Sequence, residues 1–363
     1  MKKNTVCPFV VTLLLFIVVL SGCEIMLPPT TYEASPTKIS YDLSYGYRVN
    51  STGTGKYTIM YGADIPAVLN GVVTYDILYP QQYQQKTLAH NTFIQWNISG
   101  NDTHTYLLGL TAHVEAETYL FSDLNGNEAA TIQEIQQRNP DVVNQYTRLQ
   151  GNETIRFIDP RNPEIITIVT AVQAQAKTNN SLVLAKSLFA WLKEHVDYKV
   201  HPNESGVQPA AVTLSKKTGD CDDLSFLYVS LCRACNIPAR FIRGYLLSPD
   251  GTGSATAVAH AWTEVFIGDT LGNNGWIPVE CACITPTIDT DINQNFGLES
   301  AFHLRVFTDD GSNTSLALSL TSISYSYGLN RIINVHSFAD LTNYHELVSK
   351  KLVVTTKNTR HYE

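Results

Sequence analysis

The sequence predicts an α+β protein: a helix-rich core closed by strands, with a β-sandwich-like module before it and a β-rich extension after it. Three observations predict this. Short alternating segments recur between turn residues from Ile39 to about Phe121. Helical periodicity takes over between Asn162 and Asn236, and β-type segments return after Cys283. The divisions that follow are a signal-type segment over 1–22, a tether over 23–40, the β-rich module over 41–155, the core over 156–290 and the extension over 291–363. With 363 residues, 44% apolar and 16% charged, the chain is long enough for one core plus flanking modules.

Lys2 and Lys3 precede an apolar run from Phe9 to Leu20, and Leu20-Ser21-Gly22-Cys23 follows. The run is shorter than the roughly 20 residues a bilayer-spanning helix needs, so it reads as a secretory signal. Leu-Ser-Gly-Cys resembles a prokaryotic lipobox, which implies a lipid on Cys23 and a protein exported to the outer face of the cell membrane. An uncleaved N-terminal anchor is the other reading, and it too places the rest of the chain outside. Removal of residues 1–22 leaves 23 basic against 33 acidic residues, a charge of −10. Nucleic acid is therefore not expected as a partner, because it needs clustered Lys and Arg. Pro28, Pro29 and Pro36 among several Thr and Ser make residues 24–40 read as tether.

In the N-terminal module, strands are expected over Tyr57–Tyr61, Val72–Tyr79, Thr92–Ile98, Tyr106–Leu110 and Val114–Phe121. His113, Glu115 and Glu117 alternate on one face, as a solvated strand face or a metal site would. Asp123, Asn125, Asn127 and Glu134 echo a calcium loop, but Glu128 stands where that loop needs glycine, so a polar turn leading into a helix fits better. Asn162-Pro163-Glu164 is a helix start, giving a helix to about Lys177. A second helix runs from about Ser181 to His195, with Leu184, Leu188, Trp191, Leu192 and His195 as its core stripe. After the core, strands are expected over Phe302–Thr308 and Leu316–Tyr325.

The chemistry concentrates in 208–283. Asp220 caps a helix carrying Leu224, Leu227 and Leu231, which stops at Asn236 before Ile237-Pro238. Cys221 thus sits in its first turn, where orphan amides and the helix dipole favour a thiolate. Asp222 and Asp223 would oppose that unless their carboxylates turn aside. Strands over Ala239–Leu247, Ala259–Ile267 and Trp276–Glu280 follow, the last two as an antiparallel hairpin that brings Glu280 close to His260. A thiol, an imidazole and a carboxylate in that order are the groups that cysteine acyl transfer requires.

Gly219-Asp220-Cys221-Asp222-Asp223, Ile237-Pro238-Ala239-Arg240, Gly244-Tyr245, Ala259-His260-Ala261-Trp262 and Gly275-Trp276-Ile277-Pro278-Val279-Glu280 together resemble the core of the transglutaminase-like superfamily. The resemblance covers about 160–283. It implies a papain-like α+β core with Cys221 as nucleophile, His260 as general base and acid, and Glu280 in the third position, where Asp is usual. Glu adds a methylene that the backbone or the imidazole must absorb. The Cys221 amide, with Gln208 or else Tyr198, is the expected oxyanion hole.

Cys232, Cys235, Cys281 and Cys283 read as buried thiols, as helix-to-strand disulfides or as a zinc site. No nucleotide-binding glycine loop is present and no cofactor is implied. Two functions follow: a cell-surface thiol enzyme acting on an amide of a protein or peptide, as peptidase or transamidase, or a lipid-anchored binding protein with a dead core.

Overall fold

Alternation of apolar and polar residues organises the N-terminal half. In the computed structural model, which describes residues 28–88, 91–147, 156–200, 207–312, 316 and 323–363, the first strand is Thr30–Gly53. Its Ile39, Tyr41, Leu43 and Tyr45 point inward between residues that face outward. It lies between Arg331–Val354 and His104–Glu117, with Arg360–Tyr362 and Gly71–Ile77 completing a five-stranded sheet. A second sheet of Ile323–Tyr327, Tyr57–Asp64, Asn91–Gly100 and Tyr83–Leu88 supplies Ile59, Ile94, Trp96 and Ile98 to the same apolar core. Two sheets face to face make a sandwich, but C-terminal strands complete both sheets, so it is not built by the N-terminal module alone as expected.

Three expectations change here. The tether reading fails from Thr30 onward, where the chain is paired strand; Pro36 is accommodated at a register shift, where a missing amide hydrogen costs little. The two segments expected over 106–110 and 114–121 are largely one strand, His104–Glu117, because Leu110, Ala112 and Val114 continue the buried alternation across the join. Within 316–325 strand begins only at Ile323 among the described residues, and Leu316 is helical. His113 bridges Asp42 (2.7 Å) and Asp76 (3.2 Å) across neighbouring strands on the outward face, as a solvated strand face does. The signal segment and Cys23 lie outside the described residues.

The helices form as the local sequence dictates. Thr131 and Glu134 make a reciprocal capping box for Ile132–Arg138, so the calcium-like stretch is a turn into a helix. The Asn162 side chain accepts from the Glu164 and Ile165 amides and opens Pro163–Ala176. Ser181–His195 buries Leu184, Leu188 and Leu192, while Trp191 is half-buried and His195 is exposed, stacked on Trp191 at the C-terminal end of the helix. Both helices pack on Cys221–Ala234, whose Leu224–Arg233 segment is entirely buried. Among the described residues no helix is long and apolar enough to cross a membrane.

Against this layer lies a four-stranded antiparallel sheet in the order Trp276–Val279, Ala255–Phe266, Ala239–Pro249, His303–Thr308. Its fourth strand comes from the C-terminal segment, and Arg331–Val354 from that segment pairs with Thr30–Gly53. The flanking β segments are therefore interlocked with the core through shared sheets.

Candidate active site

Gly219 sets the entry to the Cys221 helix. A Cβ there would lie 2.5 Å from the Cβ of Asp223 and 3.0 Å from Thr213, so only glycine permits the close approach. The Asp223 carboxylate turns back to accept the Asp220 amide (3.2 Å) and both the backbone amide (2.7 Å) and the side-chain nitrogen (2.5 Å) of Gln208. Asp223 thus points away from the sulfur, as expected. Asp222 does not: its carboxylate, the Cys221 sulfur and Asp220 gather within 4.8 Å of one another. One Asp222 oxygen is buried with no hydrogen bond, and burial, followed by Asp220, pushes the carboxyl up to about 6.

The hairpin forms in the register Thr263↔Val279 to Phe266↔Trp276, and Glu280 follows at its open end. His260 Nε2 meets Glu280 Oε2 at 2.6 Å, and the same imidazole hydrogen-bonds the Cys221 thiol, which leaves Nδ1 to face the sulfur. Cys221, His260 and Glu280 are thus brought together from a helix, a strand and the loop after a strand. Burial pulls the His260 imidazole down, but the Glu280 charge and the bonds to Cys221 and Glu280 outweigh it, to about 10. Burial pushes the Cys221 thiol up; the His260 bond opposes this and the Asp222 charge adds to it. The helix-terminal thiolate expected from sequence is therefore set against desolvation and a neighbouring carboxylate. Asp222→Asn removes that charge, so the pH midpoint of Cys221 alkylation should fall by about one unit, measured from iodoacetamide rates. An unchanged or higher midpoint would count against it.

His303 escaped the sequence reading. Its Nε2 lies 3.2 Å from Glu280 Oε2, the oxygen that His260 also reaches, while its Nδ1 sits 2.9 Å from the Ser300 hydroxyl. Glu280 Oε1 accepts the Ala282 amide at 2.7 Å. Burial would raise the Glu280 carboxyl, but His260 and His303 hold it far below the usual carboxylate range. The longer side chain is therefore fixed by three donors. His303 lies 23 residues beyond Glu280 in a strand of the core sheet, and no spacing rule links the two.

The oxyanion candidates separate. Gln208 commits its amide nitrogen to Asp223, and its carbonyl oxygen is buried with no hydrogen bond. Tyr198 sits opposite Gly219 in a short parallel pair, two residues before Cys221, and its phenol is pushed up by burial first and then by Cys221. The Cys221 backbone amide, at the first helical position, has no intrahelical acceptor.

Residues 169–281 match the transglutaminase-like superfamily. This segment is similar to a transglutaminase-like core. A candidate cysteine protease from Cytophaga hutchinsonii has a similar fold across 92% of this chain and 100% of its own, at 15% identity and a TM-score of 0.51. The periplasmic domain of TgpA from Pseudomonas aeruginosa aligns over 69% of this chain and 92% of its own, at 12% identity and a TM-score of 0.34. No curated protein sequence matches the chain. The first likeness extends the shared fold beyond the transglutaminase-like core into the β segments on both sides.

The five cysteines among the described residues are free thiols. Cys232, Cys235 and Cys281 pack as small apolar side chains within the transglutaminase-like core, the first of the three readings. Cys283 is half-buried, and its carbonyl and that of Cys281 are held by the Lys193 ammonium, which fixes the loop after Glu280.

Proposed function

We propose that the protein is a thiol acyl-transfer enzyme acting on amide bonds of a peptide or protein, with Cys221 as nucleophile and His260 as base and acid. The observation that carries this is the 2.6 Å His260–Glu280 contact on an imidazole whose other edge meets a thiol at a helix N-terminus. Cys221 Sγ attacks the scissile carbonyl carbon while its proton passes to His260. The tetrahedral oxyanion is met by the Cys221 amide and by Tyr198, with Gln208 bracing Asp223 beside them. His260 then gives the proton to the leaving amine, and a thioester remains. Water, deprotonated by His260, attacks the thioester; the acid departs and the proton returns to sulfur. An amine in place of water would give transamidation, and hydrolysis is the default because water is always at hand. Glu280 orients the imidazole and stabilises its charge, and His303 is a positioning residue for Glu280.

The lipobox-like Leu20–Cys23 supports action at the outer face of a membrane, with the enzyme tethered through lipid on Cys23. Labelling of the protein by iodoacetamide from about pH 4 to 9, mapped by mass spectrometry, tests the site. Selective labelling of Cys221 that slows at least about tenfold at pH 7 in His260→Ala is the expected result. A Cys221 that is unreactive, or indifferent to His260, would favour a binding protein with a dead core.

A further inference from the structure

A cavity of about 530 Å³ lies where the sandwich meets the core sheet, and its wall reaches the residue that precedes His260. Gly244 and Ala259 form part of its wall; Gly244 pairs across the sheet with His260, and Ala259 precedes His260 in the chain. Arg243, on the same wall, acts electrostatically on Asp222, the neighbour of Cys221. The opposite wall is built by the N-terminal strands, through Tyr45, Tyr47, Tyr61 and Asp64. The volume exceeds what one side chain fills and falls in the range of ligand sites.

The two walls are locked together. Asn91 exchanges two hydrogen bonds of 2.7 Å with the backbone of Thr308, and Ala67 exchanges two of 2.8 Å with the backbone of Arg305. The cavity is thus preformed, and a ligand would not have to order it.

Seven aromatic rings line the cavity, and its charged residues are Asp64 and Arg243. Tyr45 and Tyr245 meet with ring centroids 5.4 Å apart, and Tyr47 and Tyr61 at 5.1 Å, so ring faces and edges are presented as surfaces. Arg243 stands 3.8 Å from Asp64, too long for a hydrogen bond, and its side chain is 26% exposed. Its guanidinium therefore keeps donors for an incoming acceptor. With Asp64 and Asp222 both beside it, a neutral peptide carbonyl suits it better than another carboxylate.

We propose that this cavity is a substrate subsite, which takes an aromatic or large aliphatic side chain of a peptide while Arg243 donates to a backbone carbonyl of the same segment. The proposal rests on the reading of Cys221 as the nucleophile, since that places the scissile amide beside the cavity. It gives the N-terminal module a role: to select the substrate that the core cleaves.

The test separates binding from chemistry by using the full chain carrying Cys221→Ala and capped Gly-Gly-X-Gly-Gly peptides, with X as Phe, Leu, Gly or Glu, followed by calorimetry. Peptides with Phe and Leu should bind about tenfold tighter than those with Gly and Glu. The preference should disappear in Tyr245→Ala, which removes a wall, and in Ser324→Trp, which fills the cavity from its exposed rim while leaving the walls intact. Loss of the preference in either folded variant supports the subsite. Equal binding of all four peptides, or a preference that survives in both variants, overturns it, as does binding of a chito-oligosaccharide with no peptide bound. An active protein without the preference would reject the subsite alone. A clear preference in a chain whose Cys221 never reacts would reject the acyl-transfer reading alone.

Discussion

Glu280→Gln lowers turnover by about 10³–10⁴-fold while leaving the fold intact, the scale seen when the acid behind a catalytic histidine is made neutral. The carboxylate raises the basicity of His260 and charge-balances the imidazolium through a 2.6 Å contact. A glutamine amide can present its oxygen or its nitrogen to His260, but it carries no charge. The imidazole then falls from about 10 towards its ordinary range, and the proton it must take from the thiol is held less tightly. His303→Gln keeps a donor near the same oxygen and should lose far less than Glu280→Gln. The measurement is kcat on a chromogenic amide, with iodoacetamide labelling of Cys221 in parallel. Full activity in Glu280→Gln would remove the carboxylate from the mechanism.

Glu264→Ala destabilises the core by about 3–5 kcal/mol, because it leaves the buried Arg305 and the partly buried Arg240 short of their counter-ion. Glu264 is fully buried and receives Arg240 at 2.6 Å and Arg305 at 2.7 Å. Arg305 also donates to Glu299 at 2.8 Å, and Glu299 accepts the Trp262 indole at 2.8 Å. Burial alone would raise the Glu264 carboxyl, but the two arginines outweigh it and hold it at about 2. A depressed carboxyl contributes stability above its unfolded value of about 4.3, and that stability is lost as pH falls through the folded value. Wild-type stability should therefore drop between about pH 4 and 2, and Glu264→Gln should flatten that limb. Urea midpoints across pH are the readout. An acid limb unchanged in Glu264→Gln would assign the loss to other groups.

Much of the core was legible in the sequence because its signals are local. Asn162-Pro163-Glu164 starts a helix wherever it occurs, and Asp220 ahead of Leu224, Leu227 and Leu231 starts another. Asn236 stops the second by taking the left-handed conformation, at φ 60°. The hairpin of Ala255–Phe266 with Trp276–Val279 is short-range, so the meeting of His260 and Glu280 was within reach of alternation and turn chemistry.

The order of elements, the first-turn placement of Cys221 and the hairpin that carries His260 to Glu280 thus follow from local signals in the chain. Contacts between distant segments arise only in the assembled fold. The pairing of Thr30–Gly53 with Arg331–Val354 joins residues about 300 positions apart, and no local periodicity encodes a partner at that distance. The same holds for His303 on Glu280, for Arg243 between Asp64 and Asp222, and for the aromatic cavity shared by two modules. Asp222 shows the limit most clearly: its position in the first turn was readable, but the direction of its carboxylate depended on side chains from other strands. Local propensity fixes backbone conformation over a few residues, whereas the burial and charge that tune a reactive thiol are sums over everything packed around it.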